Sequence, residues 1–380
     1  MTAPILLHAG FDGLDLSYNT QIGPDLHNAL CAAKAVAAEE RRAQPATFAG
    51  HGFLVEGHGA RGGYTFVVNT GELGALWWFK EPRSTQDPWG VRVSCRALPL
   101  AVHGLEAVKK SLDDFLTDLG IVFTEVDRRI SRIDYAIDFL APGFEIQPEN
   151  FVCHARRSKA LDGEFSADQR GTKYNGIRIG KMPNAQICIY DKRREVIDKR
   201  KSFWWEIWAR RAQANGVKLS KASEIWRFEF RAGRDAITKC LKRKTWEAFA
   251  NDPPLLFQKI AHQTRLAEPH SDQNRARWPN STLWDHCQKT IDEISVAFNL
   301  EYDVDQIAKQ LHSEYLRTLE KQTVGLIVSQ ACAYGIGAKD IPVMLEQVGL
   351  DVSEALAAKG DDVIEYFARR AAAVRSKFRT

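Results

Sequence analysis

The sequence predicts an α+β fold of two tandem antiparallel-sheet halves with helices on one face, followed by a helical C-terminal region. Three observations carry that prediction. Short aromatic and β-branched segments punctuated by glycine recur up to about residue 265. Each half runs strand, helix, several strands, helix, a repeat of architecture without repeat of sequence. Beyond residue 281 the pattern changes to helix-period segments.

The first half spans residues 1–121. "ILLHAGFDGLDLSYN" reads as extended, and "GPDLHNALCAAKAVAAEERRAQ" has helical spacing and good helix formers. "GHGFLVEGHG", "GYTFVVNTGE" and "GALWWFKEP" have the length and turn residues of an antiparallel meander. "GVRVSCRAL" adds a strand, and "GLEAVKKSLDDFLTDLG" an amphipathic helix that ends at a glycine. The second half spans 122–265. "ISRIDYAIDFL" predicts a strand and "QPENFVCHARRS" a short helix, before strands in "FSADQRGTKYN", "GIRIGKM" and "QICIYDK". A Trp-rich helix in "FWWEIWARR" precedes the strand "EIWRFEFRAG" and a helix from Arg234. The polar stretch around Pro269 and Pro279 marks a boundary, and residues 282–380 form the helical region.

Composition narrows the class. With 380 residues, 44% apolar content and a mean hydropathy of −0.32, the chain is of ordinary globular type. No run of about 18 apolar residues predicts a membrane span. The N-terminus lacks a basic region leading into a long apolar stretch, so a cytoplasmic protein is expected. The seven cysteines are scattered without a CxxC pair, which predicts reduced thiols rather than a disulfide framework or zinc ribbon. A net charge of +4 is too mild to establish nucleic-acid binding, so local clustering must decide it. GxxxxGK[ST], HExxH and His–apolar–His patterns are absent, which argues against a P-loop NTPase and a histidine-held metal.

Alternation along three strands collects the chemistry. Arg132, Asp134, Ala136 and Asp138 share one face, as do Arg227, Glu229 and Arg231, and Gln186, Cys188, Tyr190 and Lys192. Side by side, these strands gather carboxylates, cations and one phenol. Such carboxylates suit a hard divalent cation, Mg²⁺ or Mn²⁺. A phenol with a pKa near 10 attacks phosphorus only with help from neighbouring cations and a polarised phosphate. The same alternation also produces cross-strand ion pairs with no chemistry at all. The run Lys192, Arg193, Arg194, Lys199, Arg200, Lys201 likewise reads as a phosphate clamp or as a solvated helix start. The Trp204–Trp205–Trp208 cluster reads as helix packing or as a DNA contact.

The segments "RISRIDYAIDFL", "GIRIGKMPNAQICIYDKRREV" and "EIWRFEFRAGRDAI" together resemble the replication initiation factor (Rep_trans) family. Arg132, Asp134, Ala136 and Asp138 match its Arg-x-Asp-x-Ala-x-Asp strand. Tyr190, Lys192 and Glu195 match its Tyr-x-Lys motif and following glutamate, and Trp226, Arg227 and Glu229 its Trp-Arg-x-Glu strand. The resemblance covers about residues 5–250 and implies two TATA-binding-protein-like halves. It implies that Tyr190 is a DNA-nicking nucleophile and that acidic residues hold the metal. Asp134 and Glu229 are the favoured ligands, with Asp138 and Glu195 next. Arg132, Lys192, Arg193 and Arg227 are then candidates for phosphate contacts, and Arg193, Arg194 and Arg231 for DNA binding. Lys199 to Lys201 are expected in a solvated or nonspecific DNA-facing patch.

One departure is Ser94, where some plasmid members carry a glutamate. The implied function is rolling-circle replication initiation, by a nick that leaves a 5′-phosphotyrosyl enzyme and a 3′-OH primer. Its partners would be single-stranded or hairpin origin DNA and a host helicase and polymerase, with no membrane. Family members act as dimers, although this sequence carries no dimer signal of its own. A conjugative relaxase and a non-catalytic DNA-binding regulator are the alternative uses of the same residues.

Overall fold

The computed structural model describes residues 3–82, 87–153, 165–170, 173–297, 302–358 and 362–378. The first half contains β1 (Ile5–Tyr18), α1 (Pro24–Glu39), β2 (Gln44–Phe48), β3 (His51–Val55), β4 (Tyr64–Asn69), β5 (Ala75–Lys80), β6 (Val91–Cys95), α2 (Ala97–His103) and α3 (Leu105–Asp118). The second contains β7 (Arg128–Leu140), β8 (Phe151–Cys153), β9 (Phe165–Arg170), β10 (Lys173–Gly180) and β11 (Ala185–Asp191). It continues through α4 (Lys192–Asp198), α5 (Phe203–Ala214), β12 (Ile225–Gly233), α6 (Arg234–Leu241), α7 (Trp246–Ala250), α8 (Pro253–Ala261) and β13 (Thr264–Leu266). Helices α9 (Thr282–Asp292), α10 (Val304–Ala333), α11 (Ile341–Ala357) and α12 (Asp362–Lys377) follow.

In each half the first strand is rejoined by the last strand of its meander, β6 on β1 and β12 on β7. The duplicated order read from the sequence is therefore a duplicated topology. The two sheets expected of the halves are one: among the described residues, eleven strands run β2-β3-β4-β5-β6-β1-β7-β12-β11-β10-β9, every pairing antiparallel. The seam is β1 on β7, paired from Ile5 opposite Leu140 to Tyr18 opposite Arg128 with three register shifts along the way. Each half would otherwise expose a long strand edge, and pairing the two satisfies both rows of backbone groups.

The main core lies on one face. Phe11, Trp77, Ile133, Phe228 and Phe230 are buried there with apolar residues of α1, α3, α8 and α9. Trp284 of α9 is fully buried, with its ring centroid 5.8 Å from that of Phe230. Although α9 lies beyond the polar boundary stretch, it thus packs into the core of the second half. The segment "QPENFVCHARRS", expected as a helix, instead makes a single turn at Pro148–Asn150 and the strand β8, which pairs with β13; residues 154–158 lie outside the described ones.

One helix adds to the one-sided plan. Trp204 and Trp208 of α5 pack with Leu98 of α2 over Leu7, Leu140 and Ile225, on the opposite face of the sheet. This resolves Trp204 and Trp208, both fully buried, as core residues and leaves Trp205 half-buried. It also roofs one end of the face that carries the charged residues. The rest of that face stays open. Among the described residues no helix is long and apolar enough to cross a membrane.

Candidate active site

Strand β12 lies between β7 and β11, and the register sets the polar face out in rows. Tyr190, Arg227 and Asp138 are aligned across the three strands; next come Cys188, Glu229 and Ala136, then Gln186, Arg231 and Asp134. Side chains from neighbouring rows meet on the diagonal. The Tyr190 hydroxyl donates to Glu229 Oε2 at 3.2 Å, and Arg231 Nε donates to Glu229 Oε1 at 2.7 Å. Arg132 Nε donates to Asp134 Oδ1 at 3.0 Å. These residues form the floor of an open groove of about 510 Å³. Its walls include Asp15 and Ser94 from the first half, Arg178 of β10, and Lys199 and Lys201 just beyond α4.

Two glycines make room for the reactive groups. A Cβ on Gly176 would lie 3.0 Å from Tyr190 Cβ, and one on Gly13 would lie 2.8 Å from Asp134 Oδ2. Neither glycine has an unusual φ, so close approach is their physical requirement.

The electrostatics distinguish the groups. Burial raises the Tyr190 phenol well above its ordinary value, and the Glu229 charge adds to that. The phenol is therefore protonated at neutral pH, with its hydrogen already directed at a carboxylate. Burial raises the Asp134 carboxyl to about 7, Arg132 opposes the rise and the Glu229 charge supports it. Burial lowers the Lys192 ammonium, with Arg227 acting in the same direction. Burial would raise the Glu195 carboxyl, but Lys192 and Lys201 outweigh it and hold it low.

Four of the expected site residues are elsewhere, two of them beneath the roof. Arg227 and Asp138 are fully buried beneath α5 and do not reach the groove. Arg227 Nε donates to Asp138 Oδ1 at 2.6 Å, Trp208 Nε1 donates to Asp138 Oδ2 at 2.8 Å, and Asp12 accepts from the other side of the guanidinium. Trp204 stacks on the guanidinium, 4.2 Å from its ring centroid. The phosphate contact expected of Arg227 and the ligand role expected of Asp138 give way here to a buried ion pair. The roof over this end of the sheet is the reason.

Asp12 is the extra residue of a β-bulge. The register moves from Phe11 opposite Tyr135 to Gly13 opposite Asp134, and the bulge aims Asp12 at Arg227. Alternation cannot place a bulged residue, so no pattern in the chain marks it.

His8 borders the same cluster, its ring centroid 5.1 Å from that of Trp204. It is buried, and neither ring nitrogen has a partner among the described residues. Burial lowers its pKa to about 4 against the Asp138 charge, which raises it. The unfolded chain thus takes up this proton near pH 6.5 and the folded chain only near 4. Stability from this group is complete above the upper value and falls as the pH drops through that window. His8 alone should contribute a loss of about 2 kcal/mol at pH 5 relative to pH 7, while the raised Asp134 carboxyl stabilises the fold as the pH falls over the same interval, so the difference from the variant isolates the His8 share. Urea unfolding at the two pH values, compared with His8→Phe, measures it; an unchanged pH slope in the variant would refute the assignment.

The basic residues after Tyr190 divide differently from expectation. Arg193 NH2 lies 3.0 Å from Asp191 Oδ2 and Arg194 Nε 3.4 Å from Asp198 Oδ2, and neither residue lines the groove. Lys199 and Lys201, expected in a solvated or nonspecific DNA-facing patch, do line it. The chain turns back after α4 through Arg200, whose φ is 53°. Position along the sequence does not reveal that turn.

Among the described residues no group of three or more His, Cys, Asp or Glu is spaced to hold a metal. Of the four acids expected as ligands, Asp138 is taken up by Arg227 and Trp208. Glu195 reaches the groove but is engaged by Lys192, Lys199 at 3.2 Å and Lys201 at 2.9 Å. Asp134 and Glu229 lie at the groove floor but are likewise paired, Asp134 with Arg132 and Glu229 with Arg231 and the Tyr190 hydroxyl, so a divalent cation would bind there only by displacing these partners.

No protein-family model matches the chain, and no curated protein matches it either. Among solved structures, the chain is similar to a rolling circle replication initiator protein from Geobacillus stearothermophilus, with 12% identity and a TM-score of 0.39 over 78% of this chain and 99% of that one.

Proposed function

We propose that this protein is a tyrosine-dependent, site-specific DNA nickase that initiates rolling-circle replication. The observation that carries the reading is the Tyr190 hydroxyl, hydrogen-bonded to Glu229 at the floor of an open, cation-lined groove. The family motifs that Tyr190, Asp134 and Glu229 match support it. In this mechanism Tyr190 Oη attacks the scissile phosphorus in line and passes its proton to Glu229. The bond from phosphorus to the 3′-oxygen breaks, and that oxygen takes a proton from water in the open groove. The product is a 5′-phosphotyrosyl enzyme and a free 3′-OH, and the reverse transesterification rejoins the strand. Arg132 and Arg231 lie beside the reacting face and hold phosphate oxygens, which offsets charge on the transferring group. Asp134 and Glu229 would be the residues to hold a divalent cation, which would supply Lewis-acid polarisation of the phosphate.

Incubation with supercoiled and single-stranded element DNA, Mg²⁺ or Mn²⁺, and tryptic mapping of the adduct test the reading. DNA should be attached through its 5′ end to the peptide that contains Tyr190. Attachment at another residue would remove Tyr190 from the mechanism, and DNA binding without any nick would favour a regulator.

The close approach at Gly176 gives a further expected outcome. Gly176→Ala should push Tyr190 by a few tenths of an ångström and slow adduct formation several-fold, short of the roughly 100-fold that about 1 Å of misplacement costs. A wild-type rate in that variant would show that the position of Tyr190 is not critical.

A further inference from the structure

A second cleft of about 630 Å³ lies beside the groove, between the segment from α4 to α5 and helix α10, with the end of α12 closing it. Lys199 and Lys201 line both cavities, so the two adjoin across these side chains. Gln310 Nε2 of α10 donates to Ser202 Oγ at 2.8 Å and fixes one wall against the other.

The cleft is basic and aromatic at once. Arg200, Lys221, Arg317 and Lys321 line it with no ion pair within 4 Å among the described residues, while the cleft's two acids are Glu72, which lies 3.7 Å from Lys377, and Glu314, one turn from Arg317. All four are exposed. Trp205 and Tyr315 contribute half-buried rings, and Lys377 lies 4.6 Å from the Tyr315 ring centroid. Unpaired cations along a channel attract a polyanion, and recessed aromatic rings between them offer stacking surfaces. A duplex hides its base faces, so only unstacked bases reach rings set into a cleft.

We infer that this cleft binds single-stranded nucleic acid, continuing the strand that enters or leaves the Tyr190 groove. The continuity of the path rests on the proposed function; the binding itself does not. The test is fluorescence anisotropy with a labelled single-stranded oligonucleotide, on the full chain carrying Tyr190→Phe, with and without Arg317→Glu and Lys321→Glu. The charge-reversed protein should bind at least 10-fold more weakly. Its log–log salt slope should be shallower by about 1.4, at about 0.7 for each of two phosphates no longer neutralised. Tyr315→Ala should weaken binding about 5- to 100-fold, the loss of one stacked base.

Unchanged affinity and salt slope in the charge-reversed protein would overturn the inference. So would equal competition by duplex DNA, or by polyglutamate, which would mark the cleft as a site for an acidic protein. The two proposals fail separately. Weakened binding in the charge-reversed protein, with no nick by wild type, keeps the cleft and removes the nickase. Normal nicking and normal binding by a charge-reversed protein that retains Tyr190 does the opposite.

Discussion

Tyr190→Phe should abolish the covalent DNA adduct and lower strand nicking by a factor on the order of 10³ or more, as removal of a nucleophile does. The substitution removes one oxygen and leaves the ring on β11. In the fold it costs only the 3.2 Å bond to Glu229, a change of about 1 kcal/mol, and Glu229 keeps its hydrogen bonds from Arg231. Activity and stability should therefore separate widely. The measurement is a denaturing gel for the protein–DNA adduct beside a urea unfolding curve. A variant that still forms the adduct assigns the chemistry to a different side chain. A variant that unfolds early shows instead that the hydroxyl serves the fold.

The largest expected effect on stability is at Arg227. Its guanidinium is fully buried between Asp138 and Asp12 and beneath Trp204. Arg227→Ala would leave the buried Asp138 and the half-buried Asp12 without their counter-charge, at a cost of about 3–5 kcal/mol. Arg193→Ala is the contrasting case, because the partly exposed pair with Asp191 is worth about 1 kcal/mol or less. Combining Arg227→Met with Asp138→Leu should restore part of the loss, since an apolar pair avoids the uncompensated charge. Urea midpoints of the three proteins decide it. Equal midpoints for Arg227→Ala and Arg193→Ala would mean that the buried pair adds nothing to the folded state.

Much of this was legible in the sequence because strands report their faces. Period-two alternation put Tyr190, Glu229, Arg231, Arg132 and Asp134 on polar faces, and antiparallel pairing of β7, β12 and β11 brings them to one groove floor. The duplicated order of elements was legible for the same reason, since glycine and aromatic spacing repeat with the strands. What stayed hidden depends on contacts distant in sequence. A helix that folds back over the polar face buries Arg227 and Asp138, and the amphipathic pattern of "FWWEIWARR" shows an apolar side without showing which surface it meets. A bulge takes Asp12 out of the alternation. A turn through Arg200 sends Lys199 and Lys201 to the groove, while Arg193 and Arg194 are held by acids of their own segment. Local pattern sets the face of a strand; only tertiary packing decides whether that face is open.

The β1–β7 seam also bears on how the chain holds together mechanically. The two longest strands hydrogen-bond along most of their length, and the bulge that aims Asp12 at Arg227 lies in the same ladder. The halves are therefore not separable modules despite their matching topology. A break in the connection between α3 and β7 would leave two fragments, each with a bare strand edge of more than a dozen residues. Such fragments have each other's edge as their best partner. Activity regained on mixing them would report zipping of the seam itself, which makes this junction a natural point for a split reporter.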